Sequence, residues 1–136
     1  MSLNAFLNPI KPENKKIVVS NRFVENGKPV EWEIRAITAD EDDAIRKTCM
    51  TKTKGKQPVQ GKDFDNFLYV AKLAAASVVY PDLQNVELQN AYNAMGSEDL
   101  IRKMLTFAEY NKLTDFIVEY SGMDKTENEL LDEAKN

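Results

Sequence analysis

Hydrophobic and polar positions alternate along this chain with two different periods. Between residues 95 and 123 the period is helical. Leu100, Ile101, Met104 and Leu105 fall at i, i+1, i+4 and i+5, and Leu113, Phe116, Ile117 and Tyr120 at i, i+3, i+4 and i+7. Each set makes one apolar stripe. Ser97 stands at a capping position, with Glu98 and Asp99 in the first turn, where carboxylates favour the positive helix end. Thr106-Phe107-Ala108-Glu109 has the spacing of a capping box, so a second helix starts almost without a loop, and Gly122 is its natural stop. A pair this apolar needs a surface to pack on.

Residues 16–37 carry the other period. Ile17, Val19, Asn21 and Phe23 alternate with Val18, Ser20, Arg22 and Val24, and Val30, Trp32, Ile34 and Ala36 with Glu31, Glu33, Arg35 and Ile37. Asn26-Gly27 lies between the two runs, and both residues accept the positive φ of a tight hairpin turn. A lone hairpin is marginal in water, so its Trp32 and Ile34 face must lie on helices or further strands.

Further helices are predicted on either side of the central polar stretch. Thr38-Ala39-Asp40-Glu41 is another capping-box spacing and opens a helix over 38–50, with Ile45 and Cys49 on its buried side. Residues 64–80 read as the most buried helix: Asp63 is its expected cap, and Phe64, Phe67, Leu68, Ala71, Ala74, Ala75 and Val78 follow helical spacing. Tyr80-Pro81-Asp82 ends it. Asn85 caps a short helix over 85–95 with the stripe Leu88, Ala91, Tyr92 and Met95.

The expected fold is therefore α+β: one N-terminal antiparallel hairpin packed against about five helices, with residues 64–80 at the centre. The expected inward set is Phe23, Trp32, Ile34, Phe67, Leu68, Ala71, Leu73, Ala74, Val78, Tyr92, Leu100, Met104, Leu105, Leu113, Phe116 and Ile117. Residues 1–123 read as one domain. Its N-terminal arm carries Leu3, Phe6 and Leu7, read either as docked on the body or as a partner-binding peptide. Residues 51–63, rich in lysine and glycine, read as a mobile loop. Residues 124–136 form an acidic tail in which Leu130 and Leu131 could line one helical face.

Composition narrows the chemistry. The 136 residues carry a net charge of -4, and no histidine is present, which excludes every histidine-based triad, ligand or pH switch. The single cysteine, Cys49, allows no internal disulfide and no cysteine-cluster zinc site, and without a histidine base it reads as a packing residue. Asp40 to Asp43 lack the alternating ligands and glycine of a calcium loop. Glu109 and Asp115, six apart, do not share a helical face and read as solvated surface carboxylates rather than a catalytic pair. The lysines of 51–63 lack the aromatic residues that stack on bases. No catalytic, cofactor-binding or metal-binding residue is expected. Neither is a secretory signal in residues 1–16, nor an apolar run near the roughly 20 residues of a membrane span.

Three segments carry a family resemblance: VVSNRFVENGKPVEWEIRAIT, YVAKLAAASVVYPDLQNVELQNAY and DLIRKMLTFAEYNKLTDFIVEYSGM. In order and pattern they resemble the XkdN/YqbN-like phage tail assembly chaperones over roughly residues 3–123. Where many relatives carry Pro-Gly before the Glu-Tyr pair, this chain has Phe107-Ala108. The resemblance implies a non-enzymatic role in the host bacterial cytoplasm: binding the tape measure protein, keeping it soluble, and helping recruit tail tube protein. No cofactor is expected, and neither nucleic acid nor membrane is expected as a partner. The surplus apolar residues Met123, Leu130 and Leu131 are the expected partner-binding or self-association surface. A protein–protein adaptor of an unrelated pathway is the competing reading.

Overall fold

The computed structural model describes residues 2–50 and 63–121. It is an α+β structure in which helices pack on a small antiparallel sheet. The sheet has three strands, β1 (Lys15–Ile17), β4 (Trp32–Ile34) and β5 (Val78–Tyr80), in the order β1-β4-β5. Lys15 faces Ile34 and Ile17 faces Trp32 in the first ladder, and Glu33 pairs with Tyr80 in the second. A separate two-residue ribbon, β2 (Val24–Glu25) with β3 (Lys28–Pro29), closes the hairpin. Asn26 and Gly27 take φ of 53° and 78° at its tip, the two left-handed positions such a turn requires.

The hairpin is thus shorter than its alternation suggests. Its ladder stops after Ile17 because Ser20 and Arg22 turn across the body toward the last helix pair, and the Arg22 N–H folds back onto Ser20 Oγ at 3.0 Å. Pairing resumes with the Val30 N–H donating to the Phe23 carbonyl at 2.8 Å.

The third strand was not expected. The segment predicted as one helix over 64–80 divides into α3 (Asn66–Ser77) and β5. Val78, Val79 and Tyr80 have strong strand preference, and Pro81 biases Tyr80 away from helical dihedrals. β4 also offers a free edge there. The Arg35 backbone N–H donates to the Ser77 carbonyl at 2.9 Å and its Nε to the Ala76 carbonyl at 3.1 Å, so carbonyls at the end of α3 are satisfied by the sheet.

Two further expectations about α3 are corrected. Its cap is Asp65, whose Oδ1 accepts the Leu68 N–H at 3.0 Å, rather than Asp63. Phe67 is 87% exposed instead of inward. It shares the Ala71 and Ala74 side, but it lies in the first turn, where no described residue covers it. Tyr69 is the buried aromatic of that turn.

The other helices follow their signals. α2 (Ala39–Thr48) has both halves of the Thr38–Glu41 capping box. α4 (Val86–Ala91) is capped by Asn85, whose Oδ1 accepts the Leu88 N–H at 2.9 Å. α5 (Ser97–Met104) and α6 (Phe107–Ser121) are separated by two residues. Gly96, at φ 99°, is the cap of α5; Ser97 is its first residue and reaches the Leu83 carbonyl instead. Leu100, Ile101 and Leu113 are fully buried and meet Trp32, Ile34, Leu73 and Ala74 in one core. Of the predicted inward set, Phe23, Leu68, Tyr92 and Phe116 are half-buried against it.

Candidate interaction surface

Displaced pKa values often mark working sites. Here the displaced groups form braces between elements. Glu109, in the first turn of α6, accepts the Thr106 N–H at 2.9 Å and completes that capping box through its own N–H at 3.2 Å. The same carboxylate accepts Arg22 Nη2 at 2.6 Å, Arg22 Nε at 3.0 Å and the Ser20 hydroxyl. Arg22 Nη2 also donates to the Met104 carbonyl at 2.8 Å. The Arg22 guanidinium and then the Ser20 hydroxyl hold the Glu109 carboxyl well below the usual range. Glu109, only 15% exposed, is therefore not the solvated carboxylate its sequence context suggested. Asp115 does lie exposed on α6.

Two more braces anchor α2. Arg35 on the sheet grips Glu41 through two hydrogen bonds of 3.1 and 2.6 Å, which with the Thr38 N–H lower the Glu41 pKa to about 2. The Tyr69 hydroxyl donates to Asp42 Oδ1 at 2.5 Å, and Arg46 Nε donates to Asp42 Oδ2 at 2.8 Å. The Arg46 guanidinium lies 4.5 Å from the Tyr69 ring centre. Burial, and then Asp42, push the Tyr69 hydroxyl up to about 12. The acidic start of α2 is thus spent on cations: Glu41 on Arg35, Asp42 on Arg46, Asp43 on Lys47. Among the described residues no cluster of three or more metal-ligating side chains forms, and no helix is long and apolar enough to cross a membrane.

What this leaves open is apolar surface. Phe23, Val30, Tyr80, Pro81 and Leu88 surround a cleft of about 130 Å³ above Trp32, with Met104 on its wall. Tyr80, 51% exposed, is shared with a broader cleft of about 440 Å³ edged by Asp82, Asn85 and Glu87. On its other side Tyr80 meets Lys16, Glu31 and Glu33. Tyr80 thus stands between an apolar cleft over Trp32 and a polar one edged by Lys16, Glu31 and Glu33. The apolar cleft was missed because Val78, Val79 and Tyr80 were assigned to a buried helix; the strand-forming Val-Val-Tyr run before Pro81 was the available signal.

The family model described as "Phage XkdN-like tail assembly chaperone protein, TAC" matches residues 3–135. The chain belongs to this family. XkdN of the phage-like element PBSX of Bacillus subtilis (strain 168) is 29% identical over 131 residues, covering 93% of this chain and 87% of XkdN. YqbN of the same strain is 28% identical over 129 residues, with the same coverage. A crystal structure of the protein YqbN superposes with a TM-score of 0.74 at 24% identity, over 90% of this chain and 96% of that one, and shows the fold to be shared. The predicted partner-binding residues of this tail assembly chaperone, Met123, Leu130 and Leu131, lie outside the described residues, as do positions 51–62 of the lysine-bearing loop.

Proposed function

We propose that this chain binds the tape measure protein in the bacterial cytoplasm while a phage tail is assembled, keeps it soluble, and helps bring tail tube protein to it, without performing chemistry. The observation that carries the reading is family membership over residues 3–135, nearly the whole chain. The braces support it: Glu109 and Glu41 through their arginines, and Asp42 through the Tyr69 hydroxyl, each hold two elements together, which suits a binding scaffold. Met123, Leu130 and Leu131 contribute client contacts, because apolar side chains set at helical spacing on an acidic segment can cover the stripe of a helical client. Co-expression of the tape measure protein with the full chain, and with a chain ending at Gly122, tests both parts. The full chain raises the soluble fraction of the tape measure protein and the shortened chain loses much of that effect. Equal rescue by both removes the assignment of these three residues, and no rescue by either removes the function.

A further inference from the structure

Residues 2–12 are exposed throughout, although they carry four large apolar side chains. Phe6 is 81% and Ile10 97% exposed, with Leu3 and Leu7 alongside them. Around α1 (Asn4–Leu7), a single turn, Leu3, Phe6 and Leu7 fall at i, i+3 and i+4, and the hydrogen bonds of the turn stay within the arm. The arm's root, by contrast, is fixed to α6. The Tyr120 hydroxyl donates to the Glu13 carbonyl, and the Lys15 ammonium lies 5.9 Å from the Phe116 ring centre. α6 ends at Ser121, one residue past this anchor.

Residues 122–136 continue from the same anchor, and three features fit them to the arm. The first is reach. Phe6 stands seven residues before Glu13 and Leu130 ten residues after Tyr120, at most about 25 and 35 Å of extended chain. Leu130 and Leu131 can therefore be set level with Phe6 and Leu7. The second is apolar pattern. Leu130, Leu131 and Ala134 fall at i, i+1 and i+4, a stripe to match Leu3, Phe6 and Leu7. The third is charge. Residues 122–136 carry five acids and two lysines, whereas residues 2–12 carry Lys11 and no acid; Glu13 and Lys15 balance at the root. Attachment to one folded body favours the arm's own tail over a partner copy. Two segments tethered this close meet at an effective concentration of roughly millimolar, which a second molecule matches only when the whole solution is that concentrated.

We propose that residues 122–136 lie against residues 2–12 of the same chain, Leu130 and Leu131 on Phe6 and Leu7, so that in the free protein each segment covers the other's apolar side chains. The contact itself is separate from any contact with tail proteins. Only its consequence rests on the proposed function: a client that takes Leu130 and Leu131 has to displace the arm.

Chymotrypsin, which cuts after accessible Phe and Leu, tests it through the initial rate of cleavage at Phe6 and Leu7, read by mass spectrometry of the released N-terminal peptide. Cleavage follows the fraction of time the arm is uncovered, so the expected rate is at least about fivefold lower in the full chain than in a chain ending at Gly122. Leu130→Asp/Leu131→Asp in the full chain restores the fast rate, and the emission of the buried Trp32 shows that both altered chains remain folded. The full chain is cut equally slowly at about 5 µM and about 200 µM, as an intramolecular contact requires. Equal rates in the full and shortened chains overturn the proposal, whether the arm is free in both or covered by the body in both. A double variant cut as slowly as the full chain overturns it, and so does protection that appears only at the higher concentration, because the cover is then a second copy. No client enters the assay, so failure of the proposed function leaves its result unchanged.

Discussion

Replacing Glu109 by alanine removes more than a surface charge. The carboxylate serves three parties at once: the Thr106 N–H at the start of α6, the Ser20 hydroxyl, and the two-point Arg22 guanidinium. Loss of the Glu109 half of the capping box leaves the Thr106 N–H without its partner, and a lost hydrogen bond costs about 0.5–1.5 kcal/mol. Ser20 is buried, and an unsatisfied buried hydroxyl costs about 1–3 kcal/mol if water cannot reach it. The Arg22 side chain is 51% exposed, so solvent screens the ion pair and it adds little to this sum. These are not fully additive, and about 2–4 kcal/mol is the expected total. Trp32, the only tryptophan, is 1% exposed, so its emission follows unfolding directly. With a urea dependence of about 2 kcal/mol per molar, Glu109→Ala lowers the unfolding midpoint by about 1–2 M. Arg22→Ala lowers it by clearly less, because it leaves the cap and Ser20 satisfied. A Glu109→Ala loss below about 0.5 kcal/mol, the range of ordinary surface substitutions, would refute this reasoning.

Acid should unfold the chain through the same braces. Glu109 and Glu41 have folded-state pKa values below their unfolded value near 4.5, Glu41 at about 2. Their contribution is complete above pH ~4.5 and is lost as pH falls toward 2, so urea midpoints fall between pH 5 and pH 3 and fall less in Glu109→Gln; a flat profile contradicts this. Leu100→Ala, at a fully buried position on α5 where it packs on α3, costs about 2–5 kcal/mol by urea titration, and a loss under 1 kcal/mol speaks against the packing described. Phe67→Ser changes stability by less than about 0.5 kcal/mol in the same assay, whereas a core-sized loss would restore the inward assignment of Phe67.

The elements legible in the sequence are those specified locally. The Asn26-Gly27 turn, the capping boxes at Thr38 and Thr106 and the Asn85 cap each depend on residues within a few positions of one another, and each forms. The Leu100, Ile101 and Leu113 stripe is buried because a 3.6-residue period defines a face whatever that face meets. What sequence did not reveal depended on distant partners. Val78 to Tyr80 become a strand because β4, over forty positions earlier, presents an edge. Glu109 is a brace because Ser20 and Arg22 arrive from the hairpin. Phe67 has helical spacing but lies beyond the elements covering the rest of its side. The apolar cleft around Tyr80 was hidden by the same misplaced helix.

The central claim is that this family member holds a tape measure protein during assembly. The most direct measurement is the mass of the complex recovered when the tape measure protein is purified through its own affinity tag after co-expression with the full chain. The account predicts a soluble complex with several copies of this chain on each tape measure protein, as covering a long helical client requires. Recovery of the tape measure protein alone, or as insoluble aggregate despite abundant soluble chain, would contradict it.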